Sequence, residues 1–146
     1  MNLENQKQNG FSLTVRERIR YADVDKMGVV YNGNYLRLFE IGRTELMRTI
    51  GIPYTDVEQF GYLLPLVEAA IQWKGFAKYD DIVEIRTTFN PANLSSTIRF
   101  DYEIFNEGNL IVRGYTLHSF VRSESFQAVK PPKFFIEHLR KLTNNE

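Results

Sequence analysis

From Leu13 the chain alternates. Leu13, Val15, Glu17 and Ile19 share one phase, and Thr14, Arg16, Arg18 and Arg20 the other. Period two with one polar face predicts a half-exposed strand. The alternation stops at Tyr21-Ala-Asp-Val-Asp-Lys-Met-Gly28, a loop with two carboxylates and a glycine. Asn32-Gly33-Asn34 then signals a turn or a helix start. Over 34–50 the apolar spacing becomes three and four. Tyr35, Leu38, Phe39, Gly42, Leu46 and Ile50 form a stripe that Leu36 and Met47 widen, which predicts one deeply buried helix. Gly51 stops it and Pro53 follows. A glycine inside a helix costs ~1 kcal/mol against Ala, so Gly42 implies close approach of the helix to something flat.

Residues 51–61 read as a connection, and four strands are predicted at 62–76, 81–90, 95–106 and 110–122. Val83, Ile85, Thr87 and Phe89 alternate with Ile82, Glu84, Arg86 and Thr88; Ile98, Phe100, Tyr102 and Ile104 alternate with Thr97, Arg99, Asp101 and Glu103. Turn chemistry separates them, at 78–81, 90–93 and 106–109. Short links imply antiparallel pairing, a meander. Pro131-Pro132 ends the last strand, and 132–141 should be a short terminal helix. The order predicts an α+β domain over 12–141, an antiparallel sheet of about five strands wrapped around one long central helix, with tails at 1–11 and 142–146. Such a sheet leaves edges, and pairing across a two-fold axis is the usual remedy. A homodimer or tetramer is therefore expected.

Composition narrows the chemistry. In 146 residues Lys plus Arg and Asp plus Glu are both 18, so a strongly basic nucleic-acid binder is disfavoured. Cysteine is absent, which removes disulfide frameworks, thiolate zinc sites and thiol nucleophiles. The two histidines, His118 and His138, have no partner spaced like a metal ligand, so no metal is expected. His118, in phase with Thr116 and Phe120, reads as a hydrogen-bonded sheet histidine, and His138 as an exposed one. No apolar run reaches the ~18 residues of a membrane span, and the polar start MNLENQKQNG has no secretory pattern. The expected location is the cytoplasm.

The chemistry-bearing segment is Tyr21 to Tyr35. It sets a carboxylate-rich loop a few residues ahead of a buried helix. A helix start offers unpaired N–H groups and partial positive charge. A carbonyl oxygen docked there would be polarised, and a nearby Asp could attack the carbon or activate water. Acyl transfer could run on these parts with no metal, Cys or His. Taken alone, Asp23 and Asp25 read as loop and cap residues, Tyr21 and Tyr31 as core or rim aromatics, and Asn32 and Asn34 as N-caps.

The pattern Tyr21-x-Asp-x-Asp25-x-x-Gly28-Val-Val-Tyr31-Asn32-x-x-Tyr35, followed by Phe39-Glu40-x-x-Arg43 and later by Ala77-Lys-Tyr79-Asp80-Asp81, resembles hotdog-fold acyl-CoA thioesterases of the 4-hydroxybenzoyl-CoA type. The resemblance covers roughly 13–139. It implies the hotdog fold, Asp25 as the catalytic carboxylate, Tyr21 lining the loop, Gly28 allowing its tight path, and backbone N–H groups near Asn32 and Gly33, next to Tyr31, holding the thioester oxygen. Glu40 is a second acidic candidate, with pairing to Arg43 or Thr44 as its structural reading. Many bacterial members, including those linked to the Tol-Pal envelope system, carry His where this chain has Asn32. Asn cannot take a proton, so a His-base mechanism is closed at this position.

The implied activity is hydrolysis of an acyl-CoA thioester to free acid and coenzyme A, with no cofactor beyond the coenzyme A of the substrate. An acyl carrier protein thioester is the close alternative, and a non-catalytic acyl-binding module the distant one; a carboxylate aimed at the carbonyl separates them. A hotdog dehydratase would want a His near the central helix, and none precedes His118. Phe39, Phe60, Tyr62, Leu63, Leu64 and Trp73 are expected near an apolar cleft. Lys74, Lys78, Arg86, Arg99, Arg113, Arg122 and Lys130 are available for the coenzyme A phosphates.

Overall fold

The computed structural model describes residues 4–6 and 10–144. In chain order the elements are β1 (Glu4–Gln6), β2 (Gly10–Arg18), α1 (Asn34–Thr49), α2 (Tyr54–Gln59), β3 (Tyr62–Leu63), β4 (Leu66–Trp73), β5 (Ile82–Phe89), β6 (Thr97–Asn106), β7 (Asn109–Arg122), β8 (Ala128–Val129) and α3 (Lys133–Asn144). Alternation is expressed as burial: Leu13 and Val15 from β2, Val83, Ile85, Thr87 and Phe89 from β5, and Ile98, Phe100, Tyr102 and Ile104 from β6 are all buried. They close on the α1 stripe of Tyr35, Leu38, Phe39, Gly42, Leu46 and Met47. One antiparallel sheet around one helix is the hotdog arrangement.

Gly42 marks the closest approach. A Cβ there would lie 2.2 Å from Thr87 Oγ1 and 2.9 Å from Ile85 Cγ2. The helix backbone therefore rests directly on β5, as the glycine implied.

The strand order corrects the simple meander. The described sheet runs β1-β2-β5-β6-β7, and β4 lies beyond β7 instead of beside β5. Of the four strands expected as a meander, only those that became β5, β6 and β7 follow one another as hairpins. β2 pairs β5 over Phe11–Arg18 against Ile82–Phe89, so the first strand occupies the place a meander gives to β4. Separately, Pro65 interrupts the expected strand 62–76, leaving β3 and β4 to pair different parts of β7.

Smaller differences follow local chemistry. The 51–61 connection contains α2, which starts after Pro53. Of the expected tail 1–11, Gly10 and Phe11 belong to β2 and Glu4–Gln6 pair with it; the rest lies outside the described residues. At the other end α3 continues to Asn144, past the expected stop at 141, and 145–146 lie outside the described residues. His138 is half-buried instead of exposed, its Nε2 2.6 Å from the Ile50 carbonyl, which caps the C-terminal end of α1.

A buried polar chain crosses the core under α1. His118 Nδ1 lies 3.2 Å from the Leu64 carbonyl, which can only accept, so Nδ1 carries the proton and Nε2 accepts. Thr116 then donates to Nε2 at 3.0 Å, Tyr102 donates to Thr116 at 2.6 Å, and Arg43 donates to Tyr102 at 3.5 Å and to Tyr54 at 3.2 Å. Burial, then the Arg43 charge, hold the His118 imidazole down at about 4, and burial pushes Tyr102 up to about 12. The sheet-histidine reading of His118 holds.

Candidate active site

The loop between β2 and α1 is a small folded unit. A 3-10 turn at Tyr21–Asp23 leads into a narrow hairpin in which Val24 bridges Val30. The Asp25 N–H donates to the Val29 carbonyl at 2.9 Å, and the Gly28 N–H to the Asp25 carbonyl at 2.9 Å. Gly28 closes the turn at φ +81°, in the left-handed region, with open space where a Cβ would stand; its requirement is conformational.

A second segment pins this hairpin from outside. Val29 bridges Lys78, and the Val30 N–H donates to the Ala77 carbonyl at 2.9 Å. That segment is itself tied to β2: the Asp80 N–H donates to the Ile19 carbonyl, the Ile19 N–H to the Asp81 carbonyl, and Arg18 pairs with Asp80 at 3.0 Å. The two sequence patterns, 21–35 and 77–81, are halves of one structure.

Asp25 is half-buried. Its Oδ1 accepts the Met27 N–H at 2.8 Å, and Oδ2 accepts nothing among the described residues. Asp23 points the other way and is buried at 6% exposure. Its Oδ1 pairs with Arg37 at 2.5 Å and its Oδ2 accepts the Arg20 N–H at 2.8 Å. Its carbonyl accepts the Tyr31 N–H and the Asn34 amide, both at 2.9 Å.

Among the described residues no side chain caps the start of α1. Gly33 is the N-cap residue, and Asn34 sends its amide back to Asp23 instead of capping. Asn32 does not cap either. The N–H groups of Asn32 and Gly33 donate to nothing among the described residues, and both residues are exposed. The first helical bonds are long, 3.4 Å for Tyr35 to Asn32 and 3.3 Å for Leu36 to Gly33. The Tyr31 ring leans over Gly33, where a Cβ would come within 3.2 Å of it. Free donors at a positive helix end, next to a loop with a half-free carboxylate, can polarise a carbonyl and deliver a base or nucleophile to its carbon.

Several exposed apolar side chains belong to the loop, to the segment pinned against it, or to the end of β4 that leads into that segment. Tyr21 is 80% exposed and meets Tyr79 edge-on at 5.6 Å; Met27, Tyr31, Trp73 and Phe76 are also exposed. Such exposed apolar surface marks a ligand or partner site. Tyr35 beneath is buried against Trp73, its hydroxyl facing the Ala77 backbone without a well-formed hydrogen bond and pushed up by burial.

Other expected site residues fall elsewhere. Glu40 is exposed and pairs with neither Arg43 nor Thr44; Arg43 turns inward to Tyr54 and Tyr102. Phe39 is core, stacked on Tyr102 at 4.1 Å. Phe60 stacks on Phe134 and borders a cavity of about 250 Å3 with Gly51 and His138, at the far end of α1 from Asn34. It cannot share a cleft with Trp73. Among the basic residues, Arg99 pairs with Asp101, Arg113 with Glu103, and Arg86 engages Ser12. Lys74, Lys78 and Lys130 make no ion pair among the described residues. The anchoring roles of Asp23, Asn34 and Arg37 escaped the sequence reading; the signal was a basic residue one turn into the helix behind an Asp-x-Asp loop.

Comparison with known proteins agrees with this geometry. A family model described as the thioesterase-like superfamily matches residues 19–139. YneP of Bacillus subtilis is 36% identical over 118 residues, covering 80% of this chain and 85% of YneP. Acyl-CoA thioesterase YbgC of Haemophilus influenzae is 35% identical over 97 residues, covering 66% of this chain and 69% of YbgC. Among solved structures, the DHNA-CoA thioesterase from Staphylococcus aureus superposes with TM-score 0.82 at 29% identity, over 90% of each chain. The matched stretch takes in the loop, α1 and the pinning segment together, and on that ground the chain belongs to the thioesterase-like superfamily.

Proposed function

We propose that this chain hydrolyses acyl-CoA thioesters to a free acid and coenzyme A, with Asp25 as the reactive carboxylate. The carrying observation is that Asp25 keeps Oδ2 unengaged in the loop that feeds a helix start with two free N–H groups. The thioester oxygen takes the Asn32 and Gly33 N–H groups, and negative charge developing on it is held by these donors and by the end of α1. Asp25 then acts in one of two ways. As a base it removes a proton from water while the water oxygen bonds to the acyl carbon. As a nucleophile it bonds that carbon itself, giving an acyl-aspartyl anhydride that water cleaves. Either way the C–S bond breaks, the sulfur leaves as thiolate and is protonated, and one water is consumed. Tyr21, Tyr31 and Trp73 offer apolar walls, and Lys78, which pairs with the hairpin, is the cation we assign to a coenzyme A phosphate.

The neutral Asn32 side chain is hydrogen-bonded to nothing among the described residues. We assign its contribution to the backbone. Two copies of the chain form the working unit in this reading. Among the described residues β4 pairs with β7 alone, and Leu66, Val67, Ala69 and Trp73 along it are exposed.

A panel of short, long and aromatic acyl-CoAs, with thiol release followed spectroscopically, tests the activity. Turnover of at least one class with kcat/KM of ~10⁴ M⁻¹s⁻¹ or more, in the ordinary enzyme range, supports it. Binding without thiol release from any member contradicts it. An acyl carrier protein thioester of the best acyl group, assayed alongside, decides between the two carriers.

A further inference from the structure

Asp25 sits on an open turn, yet either of its roles needs tight placement against Asn32 and Gly33. A displacement of 1 Å can cost about 10²-fold in rate. The hairpin has two anchors. Ala77 and Lys78 hold its returning strand through Val29 and Val30. The outgoing strand, which carries Asp25, is held at Asp23.

We infer that Asp23 and Arg37 are a positioning pair that sets the Asp25 carboxylate against the start of α1; this rests on the reading of Asp25 as the reactive group. Asp23 stands two residues before Asp25, and Arg37 three residues after Asn34, so the pair joins the two halves of the site directly. The contacts converge. Oδ1 takes Arg37 at 2.5 Å, Oδ2 takes the Arg20 N–H at 2.8 Å, and the Asp23 carbonyl takes both the Asn34 amide and the Tyr31 N–H at 2.9 Å. Tyr31 directly precedes the two free donors. One residue thus fixes the loop, the donor segment and the first turn of the helix.

A surface ion pair kept only for solubility would look different. The Asp23 side chain is 8% exposed while that of Arg37 is 41% exposed. A buried carboxylate that loses its cation keeps its desolvation cost and must move, take up a proton or take up water. Each response shifts the strand carrying Asp25. Arg37 can meanwhile be altered with little damage to the core, because its own side chain is half-solvated.

The test uses the intact protein and the best substrate of the acyl-CoA panel. The variants are Arg37→Met, Arg37→Lys, Asp23→Asn, the Asp23→Asn/Arg37→Met double, and Asp25→Asn. Each is assayed for kcat and KM well below its own melting temperature. The expected result is a fall in kcat of about 10- to 10²-fold for Arg37→Met, with KM changed less than about 3-fold and partial recovery in Arg37→Lys. The double variant should be no worse than the worse single, since the two side chains act as one unit. Near-parental kcat in folded Arg37→Met, or single losses that multiply in the double, overturns the inference. If Asp23→Asn does not fold, the two Arg37 variants still decide. An inactive Asp25→Asn beside a fully active Arg37→Met ends the positioning role and leaves the catalytic reading standing. An active Asp25→Asn ends both.

Discussion

His118 shows how much one residue depends on its surroundings. In sequence it reads as a hydrogen-bonded sheet histidine. In the fold it is buried, its Nδ1–H given to Leu64, and its imidazole is held neutral down to about 4 by burial and by Arg43. An unfolded chain binds that proton near 6.5, the folded chain only near 4. Stability from this group is therefore complete above pH 6.5 and is lost as pH falls toward 4, by up to ~1.4 kcal/mol per pH unit. Chemical denaturation from pH 7 to 4.5 should give a steeper loss in the parent than in His118→Gln; equal slopes would contradict the buried neutral imidazole. Asn32 is the converse case. Its side chain is hydrogen-bonded to nothing among the described residues, so under the proposed backbone role Asn32→Ala should keep kcat/KM within about 10-fold, below the 10²- to 10³-fold typical of losing an oxyanion donor. A loss as deep as that of a catalytic side chain would place the amide itself on the substrate.

Elements were more legible than their neighbours. The stripe of α1 and the alternation of β2, β5, β6 and β7 can be read directly, because one buried face imposes one period. Gly42 goes further, since its helix-interior position already implied contact with a flat surface. Helix propensity favours Gly42→Ala by ~1 kcal/mol. The structure reverses that sign, because the new Cβ meets Thr87, a stiff β-branched residue buried at 0% exposure. Gly42→Ala should destabilise by ~1–3 kcal/mol as overpacking, and Gly42→Leu by more, measured by urea unfolding. A stabilised Gly42→Ala would mean that helix and sheet are not in contact there. The short α2 was illegible for a simple reason, that it spans too few residues to show a period; the break at Pro65 was signalled by the proline itself, and the strand expected over 62–76 ran across it. Strand order was illegible too. Nothing local tells β4 to pass over β5 and β6 and pair with β7; that choice belongs to the closure of the sheet around α1.

At the scale of the molecule, β4 lies past β7 with no described strand on its far side, and its exposed Leu66, Val67 and Ala69 want cover. A second copy is the economical cover. Light scattering at micromolar concentration should give a dimer or a multiple of it, and Val67→Lys should shift the mass toward monomer; a monomeric parent would contradict the assembly. The candidate site was legible in outline, because Asp25, Gly28 and the Asn32–Gly33 start fall in one short stretch. Its scaffold was not, because Ala77–Asp81 comes from 50 residues later and Asp23 looks in sequence like a second copy of Asp25. The central claim, that this fold exists to bring one carboxylate to a thioester held at a helix start, is tested most directly by Asp25→Asn. The substitution keeps the shape and the Met27 hydrogen bond and removes the charge. With melting temperature unchanged, kcat/KM on the best acyl-CoA should fall ~10²- to 10⁴-fold; a folded Asp25→Asn that hydrolyses the same substrate at the parental rate would contradict the account.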